Sequence, residues 1–209
     1  SHLDADQKVY LRGEIKRLQQ TIGLTSILVT HDQIEAVAMS DKVAVMNEGM
    51  LEQVATPDEL YERPANLFVA NFIGEPPMNL MSAELSRKGH LLQLRGYGWS
   101  LLLNEVQSRC LEQSRGRNEI TIGVRPEHLS VVSPGSILPG QSTPDGSITG
   151  RVYFRELRGD AEVLTVSIDH RTKGGVDWEN PESRMVMETD GPSSITVGDE
   201  LLLKLDTDR

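Results

Sequence analysis

The chain has 209 residues, which is enough for one large or two small domains, and it carries a net charge of −10. The acidity argues against nonspecific binding of DNA or RNA, which requires a basic face, and the aromatic content of 4% gives little support to base stacking. The single cysteine, Cys110, cannot form a disulfide within the chain and fits a reducing cytoplasm. No apolar run approaches the length of a membrane-spanning helix, so we expect membrane association to depend on partner subunits.

The first predicted elements alternate between helix and strand. Residues 4–22 are predicted as a helix, because four apolar side chains recur there at helical spacing. Residues 26–30 form an apolar, β-branched run that predicts a buried strand. His31 follows directly, at the end of a strand where α/β sheets place ligands, and residues 33–40 predict a short helix. From these residues alone, the favoured interpretation is a histidine that caps a helix or bonds to a backbone carbonyl.

A hairpin and two more short helices are predicted next. Residues 42–54 contain two strand-like runs around a turn that ends in glycine. Thr56 predicts the start of a helix, because threonine is a good cap, proline follows it, and Glu59 completes a capping box. A further short helix is predicted from Pro64 to Gly74.

The two prolines that follow Gly74 mark the best boundary in the chain, because proline disfavours both helix and strand pairing. Beyond it we predict short strands with no helix between them, at residues 91–94, 99–103, 119–124, 130–132, 148–157, 161–168 and 201–205. Residues 133–146 are predicted as a loop and residues 171–193 as irregular. Many short strands of this kind predict a small barrel.

Two motifs near the start of the chain resemble those of one protein family. Residues 1–5 (Ser-His-Leu-Asp-Ala) are similar to the D-loop of the ATP-binding subunits of ABC transporters, and residues 30–36 (Thr-His-Asp-Gln-Ile-Glu-Ala) to their switch-histidine motif. Further matches follow in order at residues 38–42, 47–49, 56–61, 72–79 and 123–129. The last of these, Gly-Val-Arg-Pro-Glu-His-Leu, resembles the signature of the C-terminal regulatory (TOBE) domain in the maltose-transporter type.

The resemblance implies a catalytic role for His31. In the family the switch histidine reaches toward the γ-phosphate of ATP and the attacking water, where a neutral donor or acceptor can orient the water or stabilise developing charge. Gln33 and Glu35 are predicted to be solvated or helix-start residues without a catalytic role.

For the D-loop, the resemblance implies that Ser1, Leu3 and Asp4 reach across a dimer and help to align the partner's phosphate site. The alternative for Asp4 is a helix N-cap, since aspartate is a preferred capping residue.

In the second half of the chain, Arg125, Pro126, Glu127 and His128 form the regulatory-domain signature. Arg125 and Glu127 are candidates to pair across an interface, and the alternative is a structural turn fixed by Pro126. No metal site is predicted there, because His128 has no partner histidine or cysteine at a ligand spacing.

Two family motifs are missing from this sequence. It contains neither a Gly-x-x-x-x-Gly-Lys-Ser/Thr phosphate loop nor a Leu-Ser-Gly-Gly-Gln signature. We therefore predict that the chain is a C-terminal fragment of a longer ATPase and that the fragment alone neither hydrolyses ATP nor holds a cofactor. ATP and Mg²⁺ are expected in the full-length protein.

The predicted fold class is an α/β fragment, the end of a P-loop NTPase-like ABC ATPase domain, followed by an all-β OB-like barrel. Residues 1–74 are assigned to the end of the nucleotide-binding domain, with the D-loop and the switch histidine. Residues 75–209 are assigned to the OB-like regulatory domain.

The function implied by the resemblance is ATP-driven import of a solute, most similar to sugar and glycerol-phosphate importers, with polyamine, iron and sulfate or molybdate importers left open. Expected partners are a second ATPase subunit, two transmembrane permease subunits and, indirectly, an extracytoplasmic solute-binding protein. The subunit would then lie on the cytoplasmic face of the inner membrane. The alternative is a β-barrel module that binds a ligand or a regulatory protein and acts as a sensor or dimerisation domain.

Overall fold

The chain divides into two compact units, Ser1–Glu75 and Pro76–Arg209, so the division falls one residue after the predicted boundary. The computed structural model describes residues 5–96, 99–112, 118–132, 144–168, 183–191 and 193–206.

The first unit combines helices with one hairpin. Its elements are α1 (Ala5–Ile22), α2 (Gln33–Met39), β1 (Val43–Asn47), β2 (Met50–Ala55), α3 (Pro57–Glu62) and α4 (Leu67–Phe72). Strands β1 and β2 pair antiparallel, as predicted. Helix α3 begins with the predicted capping box between Thr56 and Glu59. Helix α4 begins later than predicted, because Asn66 rather than Pro64 supplies the cap, accepting a hydrogen bond from the Val69 amide at 2.9 Å.

The core of the first unit is small. Val45, Leu60 and Val69 are buried together, and half-buried side chains from β1, β2 and α4 pack around them. Helix α1 lies outside this cluster, and its apolar stripe is exposed, including Leu18 and Ile22. The apolar spacing that predicts α1 therefore marks a helix whose apolar face has no cover among the described residues.

The buried strand predicted at residues 26–30 is wrong for this structure. The segment has no regular secondary structure, and Ile27 and Val29 are each 92% exposed. A strand needs a hydrogen-bonded neighbour, and none of the described strands pairs with this segment. Local β propensity alone does not hold it extended in a sheet.

The second unit is predominantly β. Its elements are β3 (Asn79–Lys88), β4 (Leu91–Gly96), β5 (Trp99–Leu102), α5 (Glu105–Glu112), β6 (Glu119–Val124), a 3-10 turn (Pro126–His128), β7 (Leu129–Val132), β8 (Ser147–Arg158), β9 (Ala161–Ser167), β10 (Arg184–Asp190) and β11 (Glu200–Leu205). Four strands form one antiparallel sheet in the order β5-β4-β3-β6, and five form another in the order β10-β9-β8-β11-β7. Both sheets contribute side chains to a single apolar core, which includes Leu94, Leu164 and Leu203.

Hydrogen bonds join the two sheets at two places. At one edge, the side-chain amide of Asn79 on β3 donates to the Val186 carbonyl on β10 at 2.8 Å and accepts from the Val186 amide at 2.7 Å. Elsewhere, the Gly146 amide donates to the Ser100 carbonyl on β5 at 2.7 Å, and the Gly146 carbonyl accepts from the Leu205 amide on β11 at 2.9 Å. Two sheets joined in this way around one core have the character of a barrel.

Three elements of the second unit differ from the predictions. Helix α5 contradicts the expectation of strands alone, and its Ser108 hydroxyl accepts a hydrogen bond from the Leu92 amide at 3.1 Å. Strand β10 lies within the stretch predicted as irregular, and the long strand β3 was not predicted. Of the loop predicted at 133–146, residues 133–143 lie outside the described part of the chain.

A charged cluster is buried beside β8 and β9. Glu162 is fully buried and pairs with the Arg155 guanidinium. The Ser193 amide and hydroxyl donate to the same carboxylate at 2.9 and 2.6 Å, and Arg155 also donates to the Ser193 carbonyl at 3.2 Å. Burial raises the pKa of Glu162, but the hydrogen bonds from Ser193 and the pairing with Arg155 outweigh it, so its pKa lies below the usual value.

Candidate functional site

The His31 turn is shaped by the cap of helix α2. Asp32 is the N-cap, and its carboxylate accepts a hydrogen bond from the Glu35 amide at 3.0 Å. The Thr30 hydroxyl donates to the Glu35 carboxylate at 2.6 Å and accepts from the Asp32 amide at 3.0 Å. Side chains on both sides of His31 therefore bond to the first turn of α2, which fixes the backbone that carries the imidazole.

Helix α1 supplies cations to this turn. Arg12 donates to the Asp32 carboxylate at 3.1 Å and lies 3.6 Å from the Glu35 carboxylate. One turn later, Lys16 donates to the Met39 carbonyl at 2.9 Å, at the last residue of α2. The pKa of Asp32 is held below its usual value, first by the Glu35 amide and also by the charge of Arg12. Asp32 is therefore an anion at neutral pH.

Gln33 holds the turn from another direction. Its side-chain amide donates to the Phe72 carbonyl at 2.6 Å, and its side-chain oxygen accepts from the Gly74 amide at 3.0 Å. Gln33 is the first residue of α2, which agrees with the prediction of a helix-start residue, and it makes these two contacts in addition. The first residue of α2 is tied to the segment that follows α4.

His31 itself is exposed. Two anionic side chains, Asp32 and Glu35, lie in the same turn but are engaged by Arg12 and by backbone or hydroxyl donors. The imidazole is thus presented to solvent on a turn held by α1, α2 and residues 72–74. An imidazole in this position can orient a water molecule or stabilise charge on a phosphate.

The predicted D-loop residues Ser1, Leu3 and Asp4 lie outside the described residues.

The residues of the regulatory-domain signature form the turn between β6 and β7. The His128 amide donates to the Arg125 carbonyl at 3.0 Å, and Pro126 is the first residue of the 3-10 turn. Arg125 is only 4% exposed, whereas Glu127 is exposed.

Neither a metal cluster nor a membrane span is found in the described part of the chain. Among those residues, no group of three or more histidine, cysteine, aspartate or glutamate side chains is arranged to hold a metal ion. The described helices are also too short or too polar to span a lipid bilayer.

Sequence reasoning missed Arg12 and Gln33 as parts of the site. Arg12 lies 20 residues before Asp32, and Gln33 lies 39 residues before Phe72, so neither contact leaves a local pattern. The polar face of α1 was the available signal for Arg12, because α1 is amphipathic and precedes the motif.

Comparison with known proteins identifies the class of the second unit. Residues 74–129 match the MalK OB fold domain, a stretch that contains β3 to β6 and the signature turn. The second unit is therefore an OB-like β domain, which confirms the predicted fold class.

The relatives extend the similarity across the whole chain. An uncharacterized ABC transporter ATP-binding protein, y4oS of Sinorhizobium fredii, is 47% identical over 172 residues, 81% of this chain and 44% of that protein. The sn-glycerol-3-phosphate import ATP-binding protein UgpC of Psychromonas ingrahamii is 34% identical over 206 residues, 99% of this chain and 48% of that protein. The trehalose import ATP-binding protein SugC of Mycobacterium tuberculosis is 49% identical over 129 residues, 62% of this chain and 32% of that protein.

These matches confirm the resemblance drawn from the motifs. The chain is similar to the C-terminal region of the ATP-binding subunits of sugar and glycerol-phosphate importers. It spans less than half the length of each of these three relatives.

Proposed function

We propose that this chain is the C-terminal part of an ATP-binding subunit that powers the import of a sugar or sugar-like solute. The observation that carries the proposal is the similarity to the glycerol-phosphate importer subunit, which extends over 99% of this chain. That extent includes both the His31 turn and the OB-like domain. We assign residues 1–74 to the end of the nucleotide-binding domain and residues 75–209 to the regulatory domain.

The full-length subunit would bind ATP with Mg²⁺, and water would hydrolyse the bond between the β- and γ-phosphates. His31 would orient the attacking water or stabilise charge that develops on the γ-phosphate. Arg12, Asp32 and Gln33 would fix the turn that presents the imidazole. Ser1, Leu3 and Asp4 would contribute across the interface with a second ATPase subunit, and this chain alone would not hydrolyse ATP.

The remaining proposed partners follow from the same class of protein. The subunit would pair with a copy of itself, bind two permease subunits on the cytoplasmic side of the membrane and serve an extracytoplasmic solute-binding protein indirectly. We propose that residues 125–128, the regulatory-domain signature, act by fixing the turn between β6 and β7. The contact of the His128 amide with the Arg125 carbonyl supports that role.

The first test is the coding sequence upstream of Leu3 in the native gene. We expect it to encode a glycine-rich phosphate loop, a Leu-Ser-Gly-Gly-Gln-like signature and an acidic pair just before residue 1. If the native protein begins near residue 1, the proposed ATPase function is overturned, and a regulatory or scaffold role takes its place.

The second test uses the full-length subunit assembled with its permease subunits. His31→Ala should lower the rate of ATP hydrolysis roughly a hundredfold while ATP still binds, because a positioned acid or base contributes about that much. His90→Ala, at an exposed histidine of the second unit, is the matched control and should keep the wild-type rate. Uptake assays with trehalose and sn-glycerol 3-phosphate should show transport of a sugar-like solute, and uptake of polyamine or iron alone would contradict the proposed substrate class.

A further inference from the structure

We propose that Gln33 is a positioning residue that couples the His31 turn to the chain segment leading into the second unit. The inference rests on the proposed function, because it concerns how the His31 turn, which would act on ATP, is connected to the rest of the chain. It assigns to Gln33 a role in regulating hydrolysis, without contact to the reacting atoms.

Gln33 uses both ends of its side-chain amide. The nitrogen donates to the Phe72 carbonyl at 2.6 Å, and the oxygen accepts from the Gly74 amide at 3.0 Å. Two bonds in opposite directions fix both the distance and the orientation of the two backbones. Because Gln33 is two residues after His31 and begins α2, movement of the His31 turn moves this contact.

Gln33 binds two backbone groups at the C-terminal end of α4, the Phe72 carbonyl and the Gly74 amide. Phe72 is the last residue of α4, and the carbonyl groups at the end of a helix have no partner within the helix. Gly74 has a φ of 118°, a conformation that other residues rarely adopt. Gln33 therefore gives a partner to one carbonyl at the end of α4 and an acceptor to the amide of Gly74.

The segment beyond Gly74 leads into the second unit. Glu75 is the last residue of the first unit, and the second unit begins at Pro76, which is followed by Pro77. A change in the His31 turn can thus reach residues 72–74, just before this connection, through the single side chain of Gln33.

The opposite side of the turn is anchored to α1. Arg12 binds Asp32 and approaches Glu35, while Lys16 binds the end of α2. With α2 held from α1 on one side and by Gln33 on the other, the turn has few ways to move without moving Gly74. Coupling between two sites is reciprocal, so a displacement of residues 72–74 would also bias the His31 turn.

The test compares two glutamines that make the same kind of contact. Gln53 in the first unit donates to the Arg63 carbonyl at 3.1 Å and accepts from the Ala65 amide at 2.7 Å, far in sequence from His31. Gln33→Met and Gln53→Met each keep a side chain of similar length and remove two hydrogen bonds. Both variants should lower the melting temperature of the full-length subunit to a similar extent.

Activity should separate the two variants in the assembled transporter. Gln33→Met should lower kcat for ATP hydrolysis roughly fivefold to tenfold with KM for ATP within about twofold, the loss expected when about one hydrogen bond's worth of positioning is removed. Gln53→Met should leave both constants within about twofold of wild type. If the Gln33→Met subunit does not assemble with the permease subunits, Gln33→Ala takes its place.

Hydrogen exchange tests the link to the segment directly. In the wild-type subunit, ATP should change the exchange rate of the Ile73 amide, which lies between Phe72 and Gly74 and donates to the Val69 carbonyl, an acceptor that both variants keep. In Gln33→Met that response to ATP should fall at least about threefold, whereas in Gln53→Met it should persist. A contact with a structural role alone would change the exchange rate but not its dependence on ATP.

The outcomes separate this inference from the proposed function. If His31→Ala hydrolyses ATP at the wild-type rate, the proposed function fails and the coupling fails with it. If His31→Ala is inactive while Gln33→Met matches Gln53→Met in kcat and in the ATP response of the Ile73 amide, the function stands and the coupling role is overturned.

Discussion

In the first unit the polar contacts that fix the His31 turn lie close to solvent, whereas in the second unit polar side chains connect the sheets from within the core. The Asp32 side chain, which caps α2 and binds Arg12, is 43% exposed. Glu162 and Asn79, which link elements of the second unit, are almost completely buried. The same kinds of hydrogen bond are thus accessible to water in the first unit and shielded from water in the second.

The apolar side chains differ in the same way. The first unit buries a small cluster around Leu60 and leaves Ile27 and Val29 exposed, while the second unit surrounds Leu203 and Met187 with one large core. A polar contact contributes little where water can replace it, and its loss is expensive where water cannot enter. Substitutions of the buried polar residues in the second unit should therefore be far more damaging than those of the exposed polar residues in the first.

The largest effect is expected at Glu162. Glu162→Gln should lower the free energy of unfolding by about 3 kcal/mol at neutral pH, because it leaves the Arg155 charge without its buried partner. Chemical denaturation, followed by the fluorescence of Trp99 in the core of the second unit, measures the loss. The matched control is Glu200→Gln, which breaks the exposed pair with Arg151 at 2.8 Å and should change stability by less than about 1 kcal/mol.

The loss of stability in Glu162→Gln should depend on pH. Because the folded pKa of Glu162 is lowered, its ionised form stabilises the native state above the ordinary carboxyl pKa of about 4.3, and that contribution is lost as the pH falls through the lower folded pKa. The difference between wild type and Glu162→Gln should therefore be constant from pH 7 to about pH 5 and shrink in more acidic solution. A difference that grows on acidification would contradict the assignment.

A smaller loss is expected at Asn79, the side chain that joins the two sheets. Asn79→Ala should destabilise the second unit by about 2 kcal/mol, because the Val186 amide and carbonyl lose their partner in a buried place. Asn79→Asp should be worse at neutral pH, since a carboxylate would face the carbonyls of Val124 and Val186. Unfolding of Asn118→Ala, at an exposed asparagine next to β6, should match that of wild type and serves as the control.

Elements with complete local signals could be predicted from the sequence. The hairpin of β8 and β9 turns at Gly159, whose φ of 67° suits glycine, and both strands are rich in β-branched and other apolar residues. The capping box at Thr56 specifies the start of α3 within four residues of sequence. In each case neighbouring residues determine the structure, so the pattern carries the information.

Elements that depend on distant partners could not be predicted. Residues 26–30 have strong β propensity, but none of the described strands lies beside them. Strand β10, with its methionine and acidic residues, has weak propensity and forms because β9 pairs along its full length. The sequence motif was enough to identify His31. The hydrogen bond between Gln33 and Gly74, however, spans 41 residues, and that between Asn79 and Val186 spans 107. Contacts over such separations leave no local sequence pattern from which they could be predicted.

The smallest effect is expected at the cap of α3, in the first unit. Thr56→Ala removes the acceptor for the Glu59 amide, 3.3 Å away, and should destabilise the helix by about 1 kcal/mol, the usual loss for a cap exposed to water. Hydrogen exchange of the Leu60 and Arg63 amides, which close the helix onto Thr56 and Glu59, should accelerate about fivefold. Thr21→Ala is the control, because the Thr21 hydroxyl bonds only to a carbonyl of its own helix and alanine is a better helix former. If Thr56→Ala lowered the free energy of unfolding as much as Glu162→Gln, water would be excluded from polar contacts in the first unit as strongly as in the second. The contrast between the two units would then be wrong.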